Sequence, residues 1–404
     1  MKRRHLIIIL TSVSILILLF AGVRNYRQPR KNNKPNARLE YHRESEPVTY
    51  RFPGEFEKHQ AMWMQWPSET YTTGSRPVTT DMINIIKAFA PHVRVNLMTR
   101  STDETAQIKN LLNASGYSGS DVYYYVINHL SIWTRDVGPI FVKDSQNRLN
   151  VIDFGFNNYS RGGNPDYINV ESQVDKLTAE QLGLPIIKTN LISEGGAIES
   201  NGRGTMMVPE QVALTRNPKL TKQQIEDEYK RVLGVKKVIW LKKGLAEDDN
   251  ITSGHINEFA RFSDPNTILL AQVLPGDRYK SQNSQETYLR MEENYSILQN
   301  ATDQDGKPFR IIRIPMPPTL YGKTEDIGET LMRSYLNYAS TNGAVLLQTY
   351  WKPGRSDTLK ATEDQVKLIF QSAFPGRDII GLDNEDVNRW GGGIHCITQN
   401  MPAD

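Results

Sequence analysis

The sequence predicts an α/β fold, and three observations support this prediction. Short apolar runs typical of buried or half-buried strands recur along the chain, from 93–98 ("VRVNLM") to 378–382 ("DIIGL"). Helical patterns lie between several of these runs, for example at 104–115, 331–343 and 363–374. The alternation continues without a linker-like break, which indicates a single domain of about 350 residues.

The N-terminal segment, 1–23, is predicted to insert into a membrane. Three basic residues at positions 2–4 precede an uncharged apolar run, 6–23, of about the length that spans a bilayer core. A signal anchor is favoured over a cleaved signal peptide, because Leu19 does not fit the small-x-small pattern of a cleavage site. Both interpretations of 1–23 stay open.

Residues 24–49 are polar, contain proline and asparagine, and lack apolar periodicity, so they predict a tether that leads into the folded domain, 50–404. Basic residues lie on both sides of the apolar run, at 2–4 and within 24–34, and they compete under the positive-inside rule. We expect the body of the protein to lie outside the cytoplasm, either anchored to the membrane or secreted.

The charge balance argues against a nucleic-acid partner. The 48 basic and 45 acidic residues give a net charge of +3, and no nucleic-acid-binding motif is present. The sequence also has no spaced cluster of cysteine and histidine and no nucleotide-binding glycine motif, so neither a metal nor an organic cofactor is expected. The expected partner is a small molecule or a peptide.

The only cysteine, Cys396, lies in "GGGIHCITQN" (391–400), at the end of a strand-like run. A lone cysteine is more often an inert buried residue than a nucleophile. The three glycines just before it, however, permit the close backbone approach that a substrate needs at a reactive thiol. Neighbouring strand residues point to opposite faces, so we expect His395 to point away from the thiol.

Three further polar residues stand at the ends of strand-like segments. His255 follows a glycine in "TSGHINEFARF", Asp136 adjoins an arginine in "SIWTRDVGPIFV", and Glu194 precedes two glycines in "ISEGGAIESNGRGT". Each alone has an ordinary structural explanation, as a hydrogen-bonded histidine or a solvated acid. Together with Cys396 they indicate a catalytic constellation.

These stretches closely resemble the agmatine deiminase and bacterial peptidylarginine deiminase family. The matching motifs run in order from about Phe52 to Met401 and include "WTRD", "FNN", "SEGGAIESNGRGT", "LTRNP", "SGHINEFARF", "SYLNY…NGAV" and "GGGIHCITQ". The resemblance implies the pentein fold, a five-bladed α/β propeller of ββαβ units. It also implies that the active site lies on the pseudo-fivefold axis.

The resemblance assigns roles residue by residue. It makes Cys396 the nucleophile, His255 the general acid and base, and Glu194 the residue that orients this histidine. Neither a metal nor a cofactor is needed for that chemistry. Contacts to the guanidinium substrate are expected from Asp136, Asn257, Trp133, Asn157 and Gly393.

The chain departs from the family pattern at two places. Asn257 stands where the family has a second guanidinium-binding aspartate, and losing that charge costs about 1.5–3 kcal/mol, or about 10- to 100-fold in rate. Glu258 is adjacent but should point away if this segment is a strand. The second departure is "FNNYS" (156–160), where the agmatine enzymes usually have "FNAWG" and the secreted peptidylarginine enzymes carry arginines.

Three functions therefore stay open. The first is hydrolysis of agmatine to N-carbamoylputrescine and ammonia. The second is an extracytoplasmic protein-arginine deiminase, which the predicted export segment favours. The third is a membrane-tethered guanidine-binding pseudoenzyme that lost turnover through Asn257. The expected partners are a small guanidine or an arginine peptide, the membrane through the N-terminal segment and, as an open option, a second copy in a homodimer.

Overall fold

The computed structural model describes residues 49–318 and 332–403. The predicted membrane or signal segment, 1–23, and the predicted tether up to residue 48 lie outside the described residues. Within the two described ranges, no helix is both long enough and apolar enough to cross a membrane.

Sixteen strands are described, and they form five small sheets. In chain order the strands are β1 (His59–Gln65), β2 (Arg94–Thr99), β3 (Val122–Val126), β4 (Ile140–Lys143), β5 (Leu149–Gly155), β6 (Ile186–Ile192), β7 (Glu199–Ser200), β8 (Thr205–Pro209), β9 (Lys237–Leu241), β10 (Ala260–Asp264), β11 (Thr267–Gln272), β12 (Arg310–Pro315), β13 (Ala339–Ser340), β14 (Ala344–Thr349), β15 (Asp378–Asp383) and β16 (Gln399–Pro402).

The described α-helices connect and flank these strands. In chain order they are α1 (Glu69–Thr72), α2 (Thr79–Phe89), α3 (Thr102–Ala114), α4 (Thr134–Val137), α5 (Pro165–Glu171), α6 (Val174–Leu182), α7 (Glu210–Arg216), α8 (Lys222–Leu233), α9 (Gln282–Asn300), α10 (Asp357–Ala373) and α11 (Glu385–Arg389). Short 3-10 helices occupy Asn158–Ser160, Gly195–Ala197, Ala246–Asp248 and Ile256–Glu258.

The five sheets share one plan. In each, a central strand has an antiparallel neighbour on one side and a parallel neighbour on the other, as in β4–β5–β6, β7–β8–β9, β10–β11–β12 and β13–β14–β15. One or two helices connect the central strand to its parallel neighbour, since parallel strands need a crossover. The five ββαβ units that the family resemblance implies agree with this arrangement.

The first sheet joins the two ends of the described domain. Its antiparallel strand is β16, which pairs with β1 so that Trp63 lies opposite Gln399. Its parallel strand is β2, and β3 adds a fourth strand beyond it. The first unit is therefore completed by residues that follow the other four units in sequence.

Local sequence explains why the helices lie where they do. At α8, Thr221 and Gln224 form a reciprocal capping box at the start, and Gly234 ends the helix with a φ of +68°. Ile225 and Val232 project from one face of α8 and are buried in the same apolar cluster as strand residues of β8 and β9. The helix thus covers its sheet with one apolar face.

One predicted element is wrong. The helical pattern at 331–343 corresponds instead, in its described part, to a turn followed by the short strand β13. Every residue from 332 to 340 is buried, including polar ones, so no solvent-facing side exists for an amphipathic helix. Ser334 and Asn337 use their side chains for hydrogen bonds to Glu258 instead.

Candidate active site

The turns and short helices just before the antiparallel edge strand of each sheet converge on one place. They carry Asp136 before β4, Gly196 before β7, Asn257 before β10, Asn337 before β13 and Cys396 before β16. Hydrogen bonds link these turns directly, from the backbone N–H of Gly196 to Asp136 and from both asparagine amides to the Cys396 sulfur. Equivalent positions of the five units therefore form a single site.

Cys396 lies in a turn rather than at the end of a strand, because β16 begins only at Gln399. Its side chain is only 5% exposed. The sulfur accepts a hydrogen bond from Asn337 Nδ2 at 3.1 Å and a longer one from Asn257 Nδ2 at 3.6 Å. Asn337 was not recognised from the sequence as a site residue, although it lies within the "SYLNY" motif.

The glycines before Cys396 have different surroundings. A Cβ atom on Gly392 would lie 2.5 Å from the Trp133 ring and 3.0 Å from Cys396 Cβ, so the close approach of Trp133 to the cysteine requires glycine there. A Cβ on Gly393 would instead lie 2.2 Å from Gln348 Oε1 and 2.6 Å from Asn337 Oδ1. Gly393 thus packs against protein amides, and its contact with substrate stays a prediction.

His255 precedes the 3-10 helix Ile256–Glu258 and is almost fully buried. Its Nε2 lies 3.4 Å from Glu194 Oε2, and its Nδ1 lies 3.6 Å from Asp136 Oδ1. Burial lowers the pKa of His255, but Asp136 and Glu194 outweigh burial, so the pKa is raised above its ordinary value. The imidazole is therefore suited to hold a proton until a leaving group needs it.

Glu194 has the surroundings of an ionised carboxylate. It forms a fully buried ion pair with Arg216, with Arg216 Nε donating to Glu194 Oε1 at 2.7 Å. Burial raises the pKa of Glu194, but His255 and Arg216 together lower it below the ordinary value. A charged Glu194 beside His255 is what the orienting role requires.

Asp136 projects from α4 into the same site. Its Oδ2 accepts a hydrogen bond from the Tyr159 hydroxyl at 2.9 Å, and its Oδ1 accepts one from the backbone N–H of Gly196 at 3.3 Å. Burial raises the pKa of Asp136, and the positive His255 opposes this rise. The sequence distinguished Tyr159 only as part of the departing stretch "FNNYS", whereas the structure makes it a direct partner of Asp136.

Asn157 is placed differently from the other predicted contacts. It caps the 3-10 helix Asn158–Ser160 by accepting a hydrogen bond from the Ser160 backbone N–H at 2.9 Å, and its Nδ2 donates to Ser160 Oγ at 3.2 Å. The structure thus uses this amide to shape the turn that carries Tyr159. A contact between Asn157 and substrate stays a prediction.

One expectation about side-chain direction is wrong, and the strand assumed for a second residue is absent. Residues 256–258 form a 3-10 helix, not a strand, so Glu258 does not point away from the site: its Oε1 lies 3.6 Å from Cys396 Sγ. His395 does not lie on a strand either. It accepts a hydrogen bond at Nδ1 from Asn257 Nδ2 at 2.9 Å and donates from Nε2 to Glu55 at 2.8 Å.

The thiol of Cys396 is expected to stay protonated at neutral pH in the absence of substrate. Burial raises its pKa well above the ordinary value, and the nearby Glu258 and Asp136 raise it further. A raised pKa means that the thiolate forms only at higher pH, so ultraviolet thiolate absorbance should develop well above the range of an ordinary cysteine. Cys396→Ser provides the blank, and a cysteine-dependent signal at neutral pH would contradict this expectation.

Comparisons with known proteins agree with the geometry. A family model described as Porphyromonas-type peptidyl-arginine deiminase matches residues 51–402. The agmatine deiminase of Medicago truncatula is 29% identical over 395 residues, covering 90% of this chain and 99% of that protein. A solved structure of the agmatine deiminase of Enterococcus faecalis is 26% identical with a TM-score of 0.74, and the match covers 88% of this chain and 96% of that one.

These matches confirm the resemblance inferred from the motifs and the α/β architecture of the domain. The members of the family are hydrolases that act on C–N bonds of amidines. The chain belongs to the agmatine deiminase and bacterial peptidylarginine deiminase family, and we assign it to that class of hydrolase.

Proposed function

We propose that the protein hydrolyses the guanidinium group of agmatine, with Cys396 as the nucleophile. One observation carries this proposal: a buried thiol, a histidine with a raised pKa and two carboxylates converge on one site from four different units of the fold. A guanidinium is flat, cationic and rich in N–H donors, so carboxylates can both hold and orient it. The names of the similar proteins support agmatine as the substrate.

The first half of the reaction follows from the charges around Cys396. A bound cation favours the thiolate, which offsets the effect of burial on the thiol pKa. The thiol proton passes to solvent water, and the resulting thiolate forms a bond to the guanidinium carbon while the C–N π electron pair moves onto nitrogen, giving a tetrahedral adduct. His255 gives its proton to the departing nitrogen, the C–N bond breaks, and ammonia departs. A thiouronium group remains on Cys396.

The second half regenerates the enzyme. The neutral His255 takes a proton from water, and the resulting hydroxide adds to the thiouronium carbon. The adduct loses its hydroxyl proton to solvent water and collapses with cleavage of the C–S bond, which releases the ureido product and restores the Cys396 thiolate. The overall reaction consumes agmatine and water and yields N-carbamoylputrescine and ammonia.

A second candidate, hydrolysis of arginine in peptides, is favoured by the description of the matching family model. The two substrates differ at the end remote from the guanidinium, where agmatine has a free amine and peptidylarginine has a backbone. The turn 156–160 is where the sequence departs from the agmatine enzymes, so it is the region to compare between the two substrates.

A parallel assay separates these functions. Ammonia release by the purified protein is measured with agmatine, free arginine, a peptide with internal arginine and a peptide with C-terminal arginine. We expect release from agmatine in preference to the other three. Release from a peptide with agmatine left intact would favour the second candidate, and saturable binding without any release would favour the pseudoenzyme.

A further inference from the structure

Asn257 cannot supply a charge to a bound guanidinium, and its amide already has other contacts. Its Nδ2 group donates to His395 Nδ1 at 2.9 Å and lies 3.6 Å from the Cys396 sulfur. His395 accepts at Nδ1 because its Nε2 donates to Glu55, so an amide N–H, not a carboxylate, suits position 257. The thiol side of the site therefore needs another source of negative charge to bind a cation.

Glu258 is placed to supply that charge. A 3-10 helix has three residues per turn, so consecutive side chains are rotated by about 120° and two neighbours can border one site. Glu258 Oε1 lies 3.6 Å from the Cys396 sulfur and accepts a hydrogen bond from Asn337 Nδ2, which also donates to that sulfur. The side chain is buried, with 2% of its surface exposed.

The second oxygen of Glu258 has no partner of its own. Within 49–318 and 332–403, Glu258 Oε2 is buried without a hydrogen bond, and so is Asn257 Oδ1. A buried oxygen that lacks a donor is unfavourable, so two of them beside one thiol indicate a site that receives donors from a ligand. A guanidinium offers N–H groups in one plane and a positive charge, which match a neutral and an anionic acceptor.

We propose that Glu258 is a substrate-binding carboxylate that holds the guanidinium on the thiol side of the site, opposite Asp136. This inference rests on the proposed function and names one further residue for it. Burial raises the pKa of Glu258 well above its ordinary value, with Asp248 adding to the effect, and a bound cation opposes that rise. Glu258 thus becomes charged together with the arrival of the cation.

Kinetics of Glu258→Gln provide the first test. The amide keeps the shape but loses the charge, so kcat/KM for agmatine should fall about 10- to 100-fold. Glu228→Gln is the matched control, because Glu228 is equally buried but lies on α8, where it bonds Thr189 and Arg231. Equal kcat/KM for Glu258→Gln and the wild type would overturn the proposal.

Alkylation of Cys396 gives a readout that does not need turnover. Chloroacetamidine and chloroacetamide have nearly the same shape, and each forms an S–C bond with loss of chloride and of the thiol proton, but only the amidine is a cation. We expect the wild type to react faster with the amidine, and Glu258→Gln to lose about tenfold or more of that preference while its rate with the neutral amide is kept.

The outcomes of the alkylation test are distinct. If Glu258→Gln slows both reagents equally, Glu258 has only a structural role and the proposal fails; it fails as well if the preference for the amidine is unchanged. The wild type could also prefer the amidine, and Glu258→Gln lose that preference, while the wild type releases no ammonia. This result would overturn the proposed function and leave the cation site intact. Should Glu258→Gln not fold, Glu258→Asp keeps the charge at a shorter reach, and it must retain a preference for the amidine.

Discussion

Cys396→Ser is expected to abolish ammonia release from agmatine, by at least about 10³-fold in kcat. A serine hydroxyl is a far weaker nucleophile than a thiolate, and the raised pKa of His255 makes this imidazole a poor base for the hydroxyl proton. Asn337 can still donate to the serine oxygen as it does to the sulfur, so the fold should be kept. Ammonia release under substrate saturation is the measurement.

The same variant also tests whether the intermediate is covalent. Acid quenching of the wild type during turnover should trap a thiouronium adduct on the peptide that contains Cys396, and mass spectrometry should find none on Cys396→Ser. An unchanged melting temperature of the variant is the control for folding. Ammonia release by a folded Cys396→Ser protein at a rate near that of the wild type would rule out the proposed mechanism.

Arg216→Met should produce the largest loss of stability among single replacements at the site, about 3–5 kcal/mol in the free energy of unfolding. Arg216 and Glu194 are both fully buried and pair at 2.7 Å, and Arg216 Nη2 also donates to the Thr252 carbonyl at 2.6 Å. Methionine fills much of the space but leaves the Glu194 charge buried without its cation. Denaturant unfolding of the two proteins measures the difference.

A surface arginine provides the matched control. Arg51 pairs with Glu57 at the same distance, 2.7 Å, but the Arg51 side chain is 41% exposed, so Arg51→Met should cost no more than about 1 kcal/mol. Adding Glu194→Gln to Arg216→Met should recover part of the lost stability, because it removes the isolated charge. Equal losses for Arg216→Met and Arg51→Met would show that burial of the pair is unimportant.

Much of the fold was predictable from the sequence because apolar periodicity reports burial. The run at 93–98 corresponds to β2, the run at 378–382 corresponds to β15, and the pattern at 363–374 lies within α10 apart from its last residue. The pattern at 331–343 misled because periodicity cannot distinguish an amphipathic helix from a turn that is buried on every side. In that turn the polar side chains of Ser334 and Asn337 form hydrogen bonds to the buried Glu258.

The site was predictable in its residue types but not in its geometry. Cys396, His255, Glu194 and Asp136 were all recognised from their motifs, and the structure brings them together. Glu258 was placed on the wrong side because a strand was assumed where a single 3-10 turn exists. Which of two adjacent side chains faces a site depends on one turn of backbone, which residue types alone do not determine.

The pairing of β16 with β1 makes activity depend on a contact between the two sequence ends of the described domain. Cys396 lies just before β16, so separation of the β16–β1 pair should displace this proposed nucleophile while the other four sheets keep all their own strands. Partial denaturation should therefore abolish ammonia release before most of the secondary structure is lost. Activity thus reports whether β16 is paired with β1, and circular dichroism reports whether the individual units are folded.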